Sequence, residues 1–262
     1  MEIKGTKCPE IFAESVLASM QEHVAWEKGQ IICCRELLRA IGTDDICEEH
    51  FVRLGGHTAI LESALAFGGS RLIQELCCEI VFELAKTENV RDTLVHEGSC
   101  KFVHKLLLKE IANEKLINSA LGALRIFSTV PQARQEILRH DTTGVVPDVM
   151  VCNPRNSAAQ RDGCAIIANI AYDDGEILPL DTSVIKAASD ALLNNLTDDC
   201  VATSACFALN NLSFNRHNLR VMVGLPDLSE ALEAVASATA KDLLEKLHLQ
   251  RAEDESIAMQ SY

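Results

Sequence analysis

Eleven cysteines are the residues of this sequence that could support the widest range of chemistry. Two adjacent pairs, Cys33-Cys34 and Cys77-Cys78, are compatible with a disulfide framework or a thiolate metal site. Against both, the total is odd, no Cys-x-x-Cys spacing occurs, and adjacent side chains on a helix point in different directions. We therefore predict buried structural thiols, with a disulfide or zinc site between Cys34 and Cys77 as the alternative.

The motifs of the common enzyme classes are absent from the sequence. It contains no Gly-x-Gly-x-x-Gly, Walker loop, Gly-x-Ser-x-Gly or His-Glu-x-x-His segment, and its eight histidines show no metal-ligand spacing. The sequence therefore predicts a protein that is not an enzyme, with no cofactor, no metal and no small-molecule substrate.

Acidic residues outnumber basic ones by 38 to 24, which gives a formal net charge of −14. An excess of this sign repels phosphate, and the sequence has no run of Lys or Arg, so we expect no binding to nucleic acid. No apolar stretch approaches the roughly 18 to 20 residues of a membrane span, and the first ten residues lack a hydrophobic signal region. We expect no membrane insertion and a cytoplasmic protein, with the nucleus as the alternative location.

Five short apolar segments recur along the chain at a nearly constant period. An apolar side chain stands four residues before each segment's end and again one residue before it, as in Leu38 with Ile41 and Val81 with Leu84. Two such columns three residues apart mark one buried stripe of a helix. The last residues of the segments, spaced by 43, 43, 43 and 42 positions, are Gly42, Ala85, Ser128, Ala171 and Ser213.

A second amphipathic run precedes each of the later apolar segments and follows a residue suited to a bend or a helix cap. Each unit is therefore predicted to fold as helix, bend, helix, short loop, helix, with Pro147 in the first turn of its helix. The bend or cap residues are Gly56, Gly98, Gly144 and Gly224, with Asp181 or Thr182 in the fourth unit.

The two ends of the chain depart from the repeat, as the ends of a stacked array must. We predict an N-terminal capping helix over residues 10–29, in which Trp26 packs against the neighbouring helices. An incomplete C-terminal capping repeat is predicted over 224–250, followed by a flexible tail over 251–262.

Armadillo repeats are the family that this pattern resembles. The resemblance covers about residues 30–250 and lies in the period, in the Gly-x-x-Pro opening from Gly144 to Pro147, and in the Ala-Leu-x-Asn-Leu-Ser segment from Ala208 to Ser213. It implies an all-α fold, a right-handed α-solenoid of about five armadillo-like three-helix repeats with capping helices, forming a single domain over 1–262. HEAT repeats are the nearest alternative, disfavoured by the bend glycines and the three-helix rhythm.

In armadillo arrays the third helices line a concave surface that holds extended segments of partner proteins, and the resemblance implies the same use here. Positions ten, six and two residues before each segment's end lie along one helix face, apart from the buried stripe. The rows are Ile32-Glu36-Ala40, Glu75-Glu79-Glu83, Asn118-Gly122-Ile126, Arg161-Ala165-Asn169 and Thr203-Phe207-Asn211.

Family asparagines that grip the backbone of a bound peptide occur two residues before the segment end, and Asn169 and Asn211 match them. The tryptophans of importin-alpha occur six residues before the end, where this chain has other residues, so binding of nuclear signals in that manner is not expected. The candidate partner-binding residues are Glu75, Glu79, Glu83, Asn118, Ile126, Arg161, Asn169, Phe207 and Asn211.

The row Glu75-Glu79-Glu83 places like charges at i, i+4 spacing, which costs roughly 0.2 to 0.5 kcal/mol per pair in a helix. One interpretation is an acidic half-groove that receives Lys or Arg side chains of a partner. The other is a solvated face on a protein that is already acidic.

The sequence thus predicts a non-enzymatic protein-interaction module or scaffold that binds a basic or extended segment of a partner protein in a concave groove. The alternative is a regulator that embraces a folded GTPase or chaperone domain and alters its nucleotide exchange. Faster nucleotide release by a partner would indicate the regulator, whereas binding of short unstructured peptides would favour the scaffold.

Overall fold

The computed structural model of the chain describes residues 9–139, 142–173 and 176–260, which are all-α apart from one pair of two-residue strands. The chain forms two compact units, Met1–Val130 and Pro131–Tyr262, whereas the sequence predicts a single domain. The division arises because helices pack mainly on helices close to them in sequence, so that each unit buries a core of its own. No helix of the described ranges combines the length and the apolar character needed to cross a bilayer.

The first unit has eight helices among its described residues. They form one group of two helices, α1 and α2, followed by two groups of three, α3 to α5 and α6 to α8. The central long helix, α5, packs against both α2 and α8, so the three predicted apolar segments of this unit stack in sequence order. The helices are α1 (Pro9–Glu22), α2 (Glu27–Gly42), α3 (Glu48–Arg53), α4 (Gly56–Ala66), α5 (Arg71–Ala85), α6 (Glu88–His96), α7 (Ser99–Lys109) and α8 (Glu114–Phe127).

In the second unit a strand pair takes the place of one short helix. The strands are antiparallel, with Tyr172 opposite Ile177, and the helix α13 packs against both α11 and α16. The elements are α9 (Pro131–Arg139), α10 (Thr142–Cys152), α11 (Ser157–Ile170), β1 (Tyr172–Asp173), β2 (Glu176–Ile177), α12 (Thr182–Asn194), α13 (Asp199–Leu212), α14 (Arg216–Val223), α15 (Leu228–Ala234) and α16 (Ala238–Gln260).

The ends of the five apolar segments coincide with ends of helices. The helices α2 and α5 end at Gly42 and Ala85, and α8, α11 and α13 end one residue before Ser128, Ala171 and Ser213, which are their C-cap residues. The apolar columns therefore locate the helices that carry most of the core.

A buried glutamine ties three of these helices to the helix that precedes each of them. Nε2 of Gln74 donates to the carbonyl oxygens of Ala64 at 2.6 Å and Phe67 at 3.2 Å, at the end of α4. Gln30 and Gln160 repeat this pattern, each donating to the carbonyls ten and seven residues before it. The carbonyls seven residues before each glutamine, those of His23, Phe67 and Asn153, also accept from a backbone N–H, so the glutamine adds a second bond at the end of the preceding helix.

The same glutamines show that the predicted alignment of the first repeat is displaced by one residue. Gln30 and Gln74 are 44 positions apart rather than 43. Leu37 is therefore fully buried in place of Leu38, and Ala40, predicted on the open face, is fully buried as well.

Two glycines in the left-handed region make the bends of the first unit. Gly55, with φ 86°, and Gly98, with φ 85°, are the N-cap residues of α4 and α7, a conformation that glycine adopts without steric cost. The first bend lies at Gly55 rather than at the predicted Gly56. Gly56 is already helical, and the ring of Phe51 occupies the space that a Cβ would need there.

The bends of the second unit differ more from the prediction. Gly144 lies inside α10, which begins at Thr142, so Pro147 falls in the second turn of the helix instead of the first. Gly224 is the C-cap of α14, and Asp227, with φ 62°, precedes α15 in its place. Asp181 is the N-cap of α12, as predicted.

The segment 10–29, predicted as one capping helix, contains two helices in the structure, because a short turn separates the end of α1 from the start of α2. Trp26 is the N-cap residue of α2, and its side chain is 51% exposed instead of packed between helices. The indole contacts His23 edge-on, with ring centroids 5.2 Å apart, and covers the backbone of Gly29.

The last helix continues past residue 250, where the sequence predicts a flexible tail over 251–262. α16 runs to Gln260, and residues 261–262 lie outside the described ranges. Two ion pairs join α14 to this part of α16, Arg216 with Glu253 at 3.4 Å and Arg220 with Asp254 at 3.7 Å.

Candidate protein-binding site

Two helices of the second unit, α11 and α13, position four of the candidate residues and pack side by side. Arg161, near the start of α11, interacts electrostatically with Asp198 and Cys200 at the start of α13. Cys164 lies close to Cys206, further along both helices. The two helices therefore run in the same direction, and their predicted rows lie beside each other.

The two rows present polar and aromatic side chains to solvent. Arg161 and Thr203 are exposed, Asn169 and Asn211 are half-buried, and Phe207 is 51% exposed. These five residues define the α11–α13 face. The structure thus places four of the predicted partner-binding residues, Arg161, Asn169, Phe207 and Asn211, on one surface.

The chemistry of the α11–α13 face suits an extended peptide. An asparagine amide can donate to a peptide carbonyl and accept from a peptide N–H, and an exposed phenylalanine offers an apolar contact for one side chain. Nε of Arg161 donates to the buried carboxylate of Asp162 at 2.9 Å, and this bond raises the pKa of the Arg161 guanidinium further above its ordinary value. The guanidinium therefore stays protonated, with its charge balanced by the adjacent carboxylate of Asp162.

One exposed aromatic residue close to the α11–α13 face is absent from the candidates chosen by sequence. Phe214 is 66% exposed, and the ammonium group of Lys246 lies 3.8 Å from the centroid of its ring. Nζ of Lys246 also donates to Oδ1 of Asn210 at 2.9 Å and pairs with Asp242 at 2.8 Å. The sequence signal was the position of Phe214, directly after the Asn-Leu-Ser end of the armadillo-like segment.

In the first unit the three glutamates of α5 form a row, but each carboxylate already contacts a cation of the same chain. The three side chains are between 18% and 31% exposed. Asn113, the N-cap of α8, also donates to Oε1 of Glu75 at 2.8 Å. The ion pairs are Glu75 with Arg71 at 3.0 Å, Glu79 with Lys115 at 3.0 Å, and Glu83 with Lys86 at 2.7 Å.

The remaining two candidates lie on α8. Asn118 is half-buried, whereas Ile126 is only 8% exposed and is not a surface residue, so its prediction as a contact is wrong. The reason is that α8 buries most of its residues, on more than one side, and a single buried stripe does not describe it. Gly122, between the two candidates, lies under the ring of Phe82 from α5.

The cysteine pair that the sequence singles out does come together. The thiol of Cys34 on α2 lies beside that of Cys77 on α5, and its interaction with the Cys77 thiol, together with burial, raises the pKa of Cys77. Both are free cysteines. Within the described ranges, no group of three or more His, Cys, Asp or Glu side chains is placed to hold a metal ion.

Comparison with known proteins gives a fold but no family. No protein-family profile matches the chain, and no curated protein matches it. Among solved structures, the chain is similar to the crystal structure of an engineered protein from the Northeast Structural Genomics Consortium, with 18% sequence identity and a TM-score of 0.67. The match covers 91% of this chain and 97% of that chain, and at this identity it concerns the fold alone.

Proposed function

We propose that this chain is a non-enzymatic protein-interaction module that binds an extended segment of a partner protein on the α11–α13 face. Its architecture in this proposal is a right-handed armadillo-like α-solenoid of about five repeats, as the period and the motif residues indicate. The observation that carries the proposal is Phe207, an exposed aromatic side chain one turn before Asn211 on α13, with Asn169 on the neighbouring helix α11.

The mechanism follows from the groups on this face. A peptide laid across the two helices leaves its backbone donors and acceptors within reach of the asparagine amides, each such bond contributing about 0.5 to 1.5 kcal/mol. Phe207 and the neighbouring Phe214 supply apolar contact area, and aromatic side chains of this kind account for much of the binding energy at protein interfaces.

The glutamate row of α5 has a secondary role in this proposal. A lysine of a partner would have to replace Arg71, Lys115 or Lys86, and the exchange of one exposed ion pair for another changes the free energy by less than about 1 kcal/mol. We therefore expect a Gln substitution of all three glutamates to change partner affinity only slightly, and mainly at low salt.

The test is affinity capture from cytoplasmic extract with three immobilised proteins. The first is the wild type, the second carries Phe207→Ala and Asn211→Ala, and the third carries Val151→Ala and Asn194→Ala. The third variant is a matched control, because it also removes one exposed apolar side chain and one amide, but from α10 and α12, where both residues are exposed. We expect the wild type and the control to retain the same partner and the face variant to lose it.

Equal capture by all three proteins would mean that another surface binds the partner, and the proposal would be wrong. The identity of a partner that is lost also separates the two functional classes. Binding of its isolated unstructured segments would support the interaction module, whereas accelerated nucleotide release from a captured GTPase or chaperone would instead support a regulator.

A further inference from the structure

A groove in the first unit lies between two helices that the proposed function does not use. The helices α4 and α7 both contact α5, and the space between them has a volume of about 450 Å³. Leu61, Leu65, Phe102 and Leu106 form most of its apolar lining. Leu65 is 82% exposed, the largest exposed fraction among the large apolar side chains of the described residues.

A row of lysines forms one wall of the groove. Lys101, Lys105 and Lys109 follow each other at i, i+4, i+8 along α7, which places them over about 12 Å of helix length. Lys109 is held at one end of the groove, because its Nζ donates to the carbonyl of Gly68 at 2.6 Å. Glu97 is the acidic residue of the lining, next to Gly98.

The other two lysines of the row, Lys101 and Lys105, are exposed to solvent. Neither makes an ion pair with a carboxylate in the part of the chain that the structure describes. Like charges at this spacing cost roughly 0.2 to 0.5 kcal/mol per pair in a helix. On a chain of net charge −14, a row of exposed cations beside an apolar groove is a surface complementary to an anionic apolar ligand.

The arrangement of the two kinds of surface favours a helical ligand. The apolar lining and the lysine row are adjacent, so the ligand needs an apolar face with an acidic face directly beside it. A helix provides adjacent stripes of this kind, whereas an extended strand directs successive side chains to opposite faces. Amphipathic helices bind in apolar grooves of other proteins by the same principle.

We propose that the α4–α7 groove is a second docking surface, which binds an acidic amphipathic helix of a partner protein. The apolar stripe of that helix contacts Leu61, Leu65 and Phe102, and its carboxylates pair with Lys101 and Lys105. This inference does not depend on the α11–α13 face, which lies in the other unit.

The test uses a fluorescent peptide of about four helical turns, with Leu at i, i+3 and i+7 positions and Glu in an adjacent i, i+4, i+8 row. Its control peptide has Gln in place of each Glu. Binding to the full chain is measured by fluorescence anisotropy. We expect the Glu peptide to bind about tenfold more tightly than the Gln peptide, with the difference shrinking as salt is added.

Charge reversal locates the binding site. Lys101→Glu with Lys105→Glu should weaken binding of the Glu peptide at least about tenfold, whereas Lys186→Glu with Lys241→Glu, a control pair of exposed lysines in the second unit, should leave it within about twofold. Leu65→Ala should also weaken it, without affecting the fold, because that side chain is almost entirely exposed.

Three results would overturn the inference. They are failure of the Glu peptide to bind the wild type, equal binding of the Glu and Gln peptides, and equal loss in both lysine variants. Vesicles of phosphatidylcholine with phosphatidylserine are tested in parallel. If the wild type binds these vesicles through Lys101 and Lys105 but does not bind the peptide, the groove recognises a membrane surface instead.

Discussion

Three buried glutamines make the same pair of hydrogen bonds in three places, and this is the most specific side-chain contact that the repeat preserves. Each of Gln30, Gln74 and Gln160 spans from the start of a long helix to the end of the helix before it. The carbonyl of Phe67 also accepts from the backbone N–H of Ser70, whereas a buried carbonyl that loses its hydrogen bond costs about 1 to 3 kcal/mol. These residues therefore stabilise the junction between each long helix and the helix before it.

We expect Gln74→Leu to lower the free energy of unfolding by about 1 to 3 kcal/mol, since it removes two bonds to the end of α4 while keeping the side-chain volume similar. Urea unfolding followed by circular dichroism measures the change. Gln21→Leu, at an exposed position of α1, is the control and should change stability by less than about 0.5 kcal/mol. An equal change in both variants would refute the structural role of Gln74.

The buried thiol of Cys164 makes stability depend on pH in the alkaline range. Burial raises its pKa to about 12, from 9.0. Because the folded state holds this proton more tightly than the unfolded chain, the stabilisation is complete below about pH 9 and declines as the pH rises towards 12. Within that window the slope is about 1.4 kcal/mol per pH unit.

We therefore expect the Cys164→Ala variant to lose about 1 kcal/mol less stability than the wild type between about pH 9 and pH 10, because the full slope is reached only about one pH unit above the pKa of the unfolded thiol. Urea unfolding at the two pH values gives the difference. The two proteins are compared by how much stability each loses between the two pH values. Their absolute stabilities differ in any case, because Cys164→Ala also leaves a cavity in the core. Identical losses in the two proteins would show that this thiol ionises as readily in the folded state as in the unfolded chain.

Among the helices, the close approach of α5 and α8 depends on a residue without a side chain. The ring of Phe82 on α5 lies 2.6 Å from the place where a Cβ would stand on Gly122 of α8. The sequence predicts Gly122 on the open face of this helix, in the row with Asn118 and Ile126, and so does not indicate the contact.

We expect Gly122→Ala to destabilise the protein by about 1 to 3 kcal/mol, because the new methyl group displaces an aromatic ring. The second substitution Phe82→Leu should recover part of this loss, as thermal or urea unfolding of the double variant would show. Gly42→Ala, where nothing lies within 4 Å of the added Cβ, is the control and should have no destabilising effect. If the changes in unfolding free energy caused by Phe82→Leu and Gly122→Ala are additive in the double variant, the ring of Phe82 does not oppose the added methyl group.

The ends of the five helices that contain the repeated apolar segments, α2, α5, α8, α11 and α13, could be predicted from the sequence to within one residue. The spacing of apolar residues within each segment indicates which side of the helix is buried. The exposed Phe207 and the half-buried Asn211 follow from that spacing alone. Contacts supplied by a neighbouring helix could not be predicted in this way. Lys115 pairs with Glu79 from the preceding long helix, and the wide burial of α8 removes Ile126 from the surface.

In the molecule as a whole, each unit carries one candidate docking surface, and the two surfaces have different chemistry. The α4–α7 groove has a row of lysines beside an apolar lining, whereas the α11–α13 face offers amides and an exposed aromatic ring. On a chain of net charge −14, we expect the affinity of a partner for the groove to depend strongly on salt concentration, and the affinity of a partner for the α11–α13 face to depend on it much less. Partners of the two surfaces can therefore be distinguished by ionic strength as well as by substitution.

Site-specific photo-cross-linking can show whether a partner protein contacts the α11–α13 face, as the proposed function requires. A photoreactive amino acid is placed at Thr203, in the exposed row of α13, or at Val151, an exposed position of α10. Irradiation in native extract should give a cross-linked partner from position 203 that Phe207→Ala with Asn211→Ala abolishes, and little or none from position 151. Cross-links from position 151 alone, or a position 203 product that persists in the double variant, would show that the partner binds elsewhere.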